Sequence, residues 1–398
     1  MRAYERTHPF LTFALNANSF THRLWMRLGE AKSKCEHVAG VPLRPDVAKR
    51  LNTVFLAKGA LATTAIEGNT LSEAQVLASI ERRLDLPRSQ AYLQDEVRNV
   101  VDACNWIIES LLADDVRLDI ECSVVRKFNH DVLKGLSLDE DVVPGEVRRH
   151  SVGVGGYRGA PAEDCPYLLH RLCQWLREDW SSGMEEFAVE MAIVKAVVAH
   201  LYLAWIHPFG DGNGRTARLL EFYILVHAGV PVPAAHLLSD HYNKTRTAYY
   251  RELDRSHGSG GDVIPFLEYA VSGFVDGLAD QLSMIRRQQW DVAWRGHVHD
   301  TFKTQDSPAA RRRKHFVLDL SRTPDWVPIQ DAAAVSPRVA EAYAGRTRKT
   351  LTRDLRELVE RGLVEMKAGA VRANREMILA FLPARRPATS PRNSGGGS

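Results

Sequence analysis

"HPFGDGNGRTAR", His207–Arg218, places one histidine, one carboxylate, three alternating glycines and two arginines within twelve residues. Pro208 biases His207 away from the helical region, so the apolar helix before it should end near Ile206. A second helix should begin close to Asn213 and run through "RTARLLEFYILVHAG", with Gly229 as its C-terminal stop. Gly212, Asn213 and Gly214 then sit at a helix N-terminus, where free backbone N–H groups and the helix dipole favour an anion. Arg215 and Arg218, three apart on the first turns, are both expected to reach toward that anion. Asp211 is a hard oxygen ligand of the kind Mg²⁺ uses when shared with phosphates. His207 can take up a proton near neutral pH. The stretch reads as a phosphate cradle with a metal ligand and a base beside it, held between two helices.

Other glycine motifs fit worse. A dinucleotide fingerprint needs a preceding strand and a third glycine where this chain has Arg215. A Walker A loop needs G-K-[ST], which is absent. An EF-hand begun at Asp211 fails at Thr216, where glycine is required, and at Phe222, where the bidentate Glu belongs.

The rest of the chain sets the context. Its 398 residues, 45% hydrophobic and 25% charged, suit a globular protein of two or three domains. No apolar run is read as a bilayer span, no signal peptide is recognised, and five scattered cysteines favour reduced thiols; the expected setting is cytoplasmic, with no membrane partner. The net charge of +3 hides an asymmetry: from Thr301 onward 19 Lys/Arg face 10 Asp/Glu, whereas the first 300 residues hold 33 against 39. A basic C-terminal part hints at a second domain with its own partner.

Most of the chain has helical periodicity. Val47, Leu51, Val54, Phe55, Leu61 and Ile66 share one stripe, and "EEFAVEMAIVKAVVAHLYLAWI" is apolar on nearly every side, as in a central bundle helix. The Gly-rich Gly145–Asp164 suits a hairpin flap, and Thr304–His315 reads as a polar linker. The fold expected is mostly α, with segments at 1–115 (N-terminal helical region), 116–303 (core), 304–315 (linker), 316–382 (a basic α+β domain) and 383–398 (a tail too polar to bury a core).

The glycine loop resembles the signature of the Fic family, H-x-F-x-[DE]-G-N-G-R-x-x-R, with His207, Phe209, Asp211, Gly212, Asn213, Gly214, Arg215 and Arg218 at every specified position. The resemblance, spanning roughly 43–282, implies a Fic-type helical bundle with a small β-hairpin flap. It also implies an enzyme that moves AMP from ATP onto a Ser, Thr or Tyr hydroxyl of a protein target, itself included. In that reading His207 deprotonates the hydroxyl and Asp211 holds Mg²⁺ on the α- and β-phosphates. Gly212, Asn213, Gly214 and Arg215 stabilise phosphate charge, and Arg218 takes the γ-phosphate. The flap positions Val154, Gly155, Gly156 and Tyr157 are matched to alignment of the target segment and cover of the nucleotide. Tyr249 and Tyr250 match a pair set beside adenosine. His257 stands where some relatives place an Asn against the base.

"TTAIEGNT", Thr63–Thr70, reads first as a helix end, with Gly68-Asn69 as the stop and Thr70 or Ser72 as the next N-cap. That leaves Glu67 as a carboxylate near a helix C-terminus, where the dipole disfavours it unless a cation answers. The stretch resembles the family's inhibitory motif [ST]-x-x-x-E-[GN], matched by Thr63, Glu67 and Gly68. The resemblance implies that Glu67 pairs with Arg218 and blocks the γ-phosphate.

At the C-terminus, "RTRKTLTRDLRELVERGLVEMKAGAVRANREMILAF" reads as helix, turn, strand, wing and strand, with "LVEM" and "MILAF" as the strands and Leu351, Leu355 and Leu358 as the apolar stripe. It resembles a winged helix. Arg346, Arg348, Lys349, Arg353 and Arg356 could meet DNA phosphates, while Asp354, Glu357 and Glu360 dilute the positive face; docking to a protein or homodimerisation are the other partners left open. Two rival functions remain: a DNA-binding regulator whose core senses nucleotide, and a Fic enzyme that removes AMP or transfers another phospho-group.

Overall fold

The computed structural model describes residues 2–112, 120–154, 156–178, 180, 185–323 and 325–379. The chain divides into two compact units, Met1–Ser283 and Met284–Ser398. The polar tail read at 383–398 lies outside the described residues.

The first unit holds α1 (Ala3–Thr7), α2 (His22–Gly40), α3 (Pro45–Ala65), α4 (Glu73–Ile80), α5 (Ala91–Leu112), α6 (Cys122–Leu133), α7 (Cys165–Arg177), α8 (Ala188–Ile206), α9 (Asn213–His227), α10 (Val232–Ala235), α11 (Leu237–Lys244), α12 (Arg246–Gly258) and the first part of α13 (Ile264–Thr301). Helix α8 is its axis. Ile193, Val194, Leu203 and Ile206 are buried on different sides of that helix, and each such apolar side chain withdrawn from water contributes about 1.5–3 kcal/mol. With its preceding turn (Glu185–Ile206) this segment does reach the length and hydropathy of a bilayer span, contrary to the sequence reading. Two-thirds of it is covered by the rest of the fold, which makes it a core helix.

Helix α9 returns against α8, so the loop between them is fixed at both ends. On α3 the buried side differs from the expected stripe. Val47, Phe55 and Ile66 are covered, but Leu51, Val54 and Leu61 are only half-buried, while Ala57, Gly59, Ala60 and Ala62 face the core. Small residues win there because His236 presses on the helix: a Cβ at position 59 would run into its imidazole. Helix α3 ends at Ala65 in a turn closed by Gly68, at φ +103°, and α4 opens on a capping box in which Ser72 and Gln75 bond reciprocally.

The flap is a minimal hairpin of β1 (Gly153–Val154) and β2 (Tyr157–Arg158), antiparallel with Val154 opposite Tyr157.

The second unit contains α14 (Pro308–Leu320), β3 (Val327–Pro328), α15 (Pro337–Tyr343), α16 (Arg348–Glu360), β4 (Val364–Lys367) and β5 (Ala370–Ala373), with an antiparallel sheet ordered β3-β5-β4. Two sequence readings change here. Thr304–His315 is helical from Pro308 onward, because Ser307 caps Ala310 and Pro308 occupies the first turn, where its missing N–H costs nothing. The second strand after α16 is Ala370–Ala373 rather than "MILAF". Ala368 and Gly369 both take positive φ, closing a two-residue hairpin directly after β4. Leu351, Leu355 and Leu358 are buried as expected, and Gly362, at φ +73°, follows the helix end.

Candidate active site

The loop between α8 and α9 is built by backbone constraints. His207 caps α8 in the left-handed region (φ 51°, ψ 59°), a conformation rare outside glycine and one that costs energy unless its surroundings hold it. Three sets of bonds hold it. Asn213 is bidentate with the backbone of Phe209, accepting its N–H at 2.9 Å and donating to its carbonyl at 2.8 Å. Asn129 of α6 donates to the Asp211 carbonyl at 2.8 Å and accepts the Gly145 N–H at 2.9 Å. Arg148, buried at the flap base, donates to the carbonyls of His207 (2.7 Å), His150 (2.6 Å) and Ala160 (2.6 Å). Arg148 and Asn129 were not singled out from the sequence. One lies in a charged "RR" pair and the other on an ordinary amphipathic helix, so neither carries a local signal.

The loop opens on a cavity of about 500 Å³. Of the residues expected in the site, Glu67, Tyr157, His207, Asp211, Gly212, Asn213, Gly214, Arg218, Tyr249, Tyr250 and His257 line it. Gly156 lies at the flap turn with open space around it. The backbone of Val154 is in β1, and Gly155 is outside the described residues.

The two arginines part company. Arg218 sits fully buried beneath Gly214, bonded to the Glu67 carboxylate and, through the same Nη2, to the Thr63 carbonyl at 3.0 Å. Arg215 instead turns toward α5, with Asp211 at 3.3 Å and Glu96 at 3.6 Å. Three residues along a helix separate side chains by about 60°, enough to send one into the cavity and the other to a neighbouring helix that offers a carboxylate. Glu96 also accepts from Asn69 at 2.8 Å, so the turn that carries Glu67 is tied to the same helix.

Electrostatics follow the geometry. Burial pushes the Glu67 carboxyl upward, but the Arg218 guanidinium, helped by Arg215 and His207, more than offsets this and holds it below its ordinary value. Burial pushes His207 down to about 4; the Ala204 carbonyl opposes the shift and Arg148 adds to it. The imidazole is therefore neutral at pH 7, the form a base requires. The Asp211 carboxylate is half-exposed at the cavity wall. Among the described residues no cluster of three His, Cys, Asp or Glu side chains is placed to hold a metal unaided. A lone hard carboxylate fits Mg²⁺ when phosphate oxygens and water complete the shell.

Tyr157 donates its hydroxyl to the Trp205 carbonyl at 2.7 Å and packs its ring 4.8 Å from His257, joining the flap to the far wall of the cavity. Tyr249 is buried, with its hydroxyl 2.8 Å from His200, whereas Tyr250 is half-exposed at the rim.

Comparison with known proteins agrees with this arrangement. Residues 119–225 match the profile of the Fic/DOC family, a span that includes the flap and the glycine loop but not Glu67 or Tyr249. Protein adenylyltransferase Fic of Drosophila ananassae is 30% identical over 210 residues, covering 52% of this chain and 38% of that protein. Protein adenylyltransferase fic-1 of Caenorhabditis briggsae is 32% identical over 209 residues, with the same coverage. The chain thus spans well under half the length of these relatives. A Fic-1 fragment from C. elegans superposes with a TM-score of 0.54 at 26% identity, over 66% of this chain and 73% of that one. A Fic family protein from Desulfovibrio desulfuricans G20 shares the fold, with a TM-score of 0.56 at 20% identity over 89% of this chain and 97% of its own. Residues 119–225, which carry the glycine loop and the flap on one cavity, are thus similar to the Fic/DOC family.

Proposed function

We propose that the protein is an adenylyltransferase that moves AMP from ATP onto a Ser, Thr or Tyr hydroxyl of a protein target, itself included, and that Glu67 restrains it. The observation carrying this reading is the convergence of His207, the Gly212–Gly214 backbone, Asp211 and Arg218 on one cavity. Neutral His207 takes the proton of the acceptor hydroxyl as its oxygen attacks the α-phosphate and pyrophosphate leaves. The N–H groups at the start of α9 and the buried Arg218 charge stabilise the phosphate oxygens, the larger share of catalysis in phosphoryl-type transfer. Asp211 would hold Mg²⁺, which supplies charge neutralisation across the phosphates when bound. The exposed edge of the two-residue flap suits pairing with an extended target segment.

Restraint rests on the Glu67–Arg218 pair. The carboxylate lies where a Cβ on Gly214 would collide with it, which is the approach a terminal phosphate would take to Arg218. A salt bridge that must open before substrate docks is a two-state switch. The test is intact mass after incubation with Mg²⁺-ATP. Glu67→Gly should gain the mass of AMP while wild type and Glu67→Gly/His207→Ala do not. A single variant that binds ATP but never gains mass, on itself or on proteins of a cell extract, would overturn the transferase reading. A rate that falls on replacing Glu67 would favour AMP removal instead.

A second reading concerns the other unit, whose order α14-β3-α15-α16-β4-β5 supports the winged-helix reading of its sequence. Asp354, expected to dilute the basic face of α16, is buried beneath it, bonded to Arg312 (2.7 Å), Arg313 (2.8 Å) and Tyr343 (3.0 Å). Glu357 is likewise engaged by Arg313 and Arg361. Arg346, Arg348, Lys349, Arg353 and Arg356 remain exposed with no ion pair to a described residue. This charge separation supports contact with duplex DNA. Reversing Arg353 and Arg356 to Glu should abolish a salt-dependent mobility shift on random-sequence DNA; a shift unaffected by both would count against it.

A further inference from the structure

Beneath the cavity lies a set of polar side chains that the proposed transfer does not use. His200 of α8 and Glu221 of α9 are fully buried, with Nδ1 of the imidazole 3.1 Å from a carboxylate oxygen. The other ends of both are occupied. Glu221 accepts from the Tyr242 hydroxyl at 2.8 Å, and His200 Nε2 lies 2.8 Å from the Tyr249 hydroxyl. The rings of Tyr242 and Tyr249 stack with centroids 4.9 Å apart. Burying a carboxylate against an imidazole adds little stability over an apolar set of the same volume, so packing alone is a weak reason for it.

The arrangement has a direction. The 3.1 Å approach falls short of hydrogen-bond geometry, but a carboxylate at that distance disfavours a lone pair on Nδ1, so the His200 tautomer it selects carries its proton there and leaves Nε2 as an acceptor. Tyr249 must then donate inward. Its hydroxyl is held in the core by fully buried His200, which leaves the rest of Tyr249 for the cavity it lines. We infer that His200 and Glu221 are positioning residues for the nucleoside part of the substrate: they turn the polar end of Tyr249 into the core, so that an aromatic face rather than a hydroxyl forms the wall beside Arg218. The inference rests on reading the cavity as a nucleotide site.

The test uses full-length protein carrying Glu67→Gly, with affinities for Mg²⁺-ATP and for inorganic tripolyphosphate measured by calorimetry, since only the first has a nucleoside. His200→Leu should weaken ATP about tenfold, the scale of one lost aromatic contact, and leave tripolyphosphate unchanged. His200→Gln, whose amide can still accept from Tyr249, should recover most of the loss. Tyr249→Ala should weaken ATP similarly, and adding His200→Leu to it should bring no further loss. Equal loss for both ligands, additive losses in the double variant, or unchanged ATP affinity in a folded His200→Leu protein would each overturn the inference. Should His200→Leu fail to fold, Glu221→Gln, which keeps the Tyr242 bond but removes the charge that sets the tautomer, is read by the same criteria. If Glu67→Gly itself binds no ATP, the nucleotide reading fails first; if it binds ATP and every variant here matches it, only the positioning role fails.

Discussion

At the scale of single residues, the site depends on two groups whose protonation is set by where they sit. His207 is neutral because it is buried beside Arg148, and Glu67 is ionised because Arg218 faces it. Replacing His207 by Ala in the Glu67→Gly background should lower transfer by ~10²–10⁴-fold, the usual share of a general base, while the calorimetric affinity for Mg²⁺-ATP stays within threefold. Gly214 makes a sharper test of the phosphate path. With Glu67 gone, a methyl group at position 214 would still stand 3.1 Å from the Arg218 guanidinium. Gly214→Ala should therefore weaken ATP and tripolyphosphate together, and affinities for both left unchanged by the substitution would argue that phosphate does not pass there.

Among elements, what the sequence made legible was whatever is enforced locally. Pro208 stops α8 at Ile206, Gly212 and Gly229 bracket α9, and Ser72 with Gln75 caps α4. Each follows from backbone preferences that neighbours in sequence decide. The outward turn of Arg215 was not legible, because it depends on Glu96, some 120 positions away by roughly counting along the chain. Nor was Arg148, whose acceptors belong to the flap, the loop and the start of α7's approach; its charge in a Gly-rich stretch looked like solvent-exposed surface. Burying Asp354 needed α14, which the polar composition of 304–315 had disguised as a linker. Arg148 also carries an element-scale expectation. Arg148→Met removes one donor group and strands three carbonyls at the junction of flap and loop. Orphaned buried acceptors cost about 1–3 kcal/mol each, so urea unfolding should show a loss of about 3 kcal/mol or more, with the flap losing amide-exchange protection before the bundle does.

For the molecule as a whole, buried histidines set a pH limit. His236 is buried against α3, and burial pushes it down to about 4; His207 is lowered to a similar value. A histidine whose folded value lies below its unfolded one binds fewer protons when folded, so stability falls as pH drops from about 6.5 toward 4 and is flat above that window. His236 alone accounts for a loss of about 3 kcal/mol across it, from 1.36 kcal/mol for each unit of displacement. Thermal melts between pH 7 and pH 4 should show this slope, and His236→Gln should make it shallower while leaving the part due to His207. In the second unit, Asp354→Ala would leave Arg312 buried without its carboxylate. A destabilisation of about 3–5 kcal/mol is expected, seen as loss of that unit's unfolding transition in calorimetry while the transition of the first unit persists.

The contact between Glu67 and Arg218 joins parts of the chain that are made at different times. Translation delivers α3 and its terminal turn well before the glycine loop, and domains fold as their segments emerge. Both segments nonetheless belong to one compact unit, so the contact forms as that unit folds. On the reading proposed above, a newly folded molecule would therefore begin life with its glycine loop occupied, and no separate event after synthesis would be needed to restrain it.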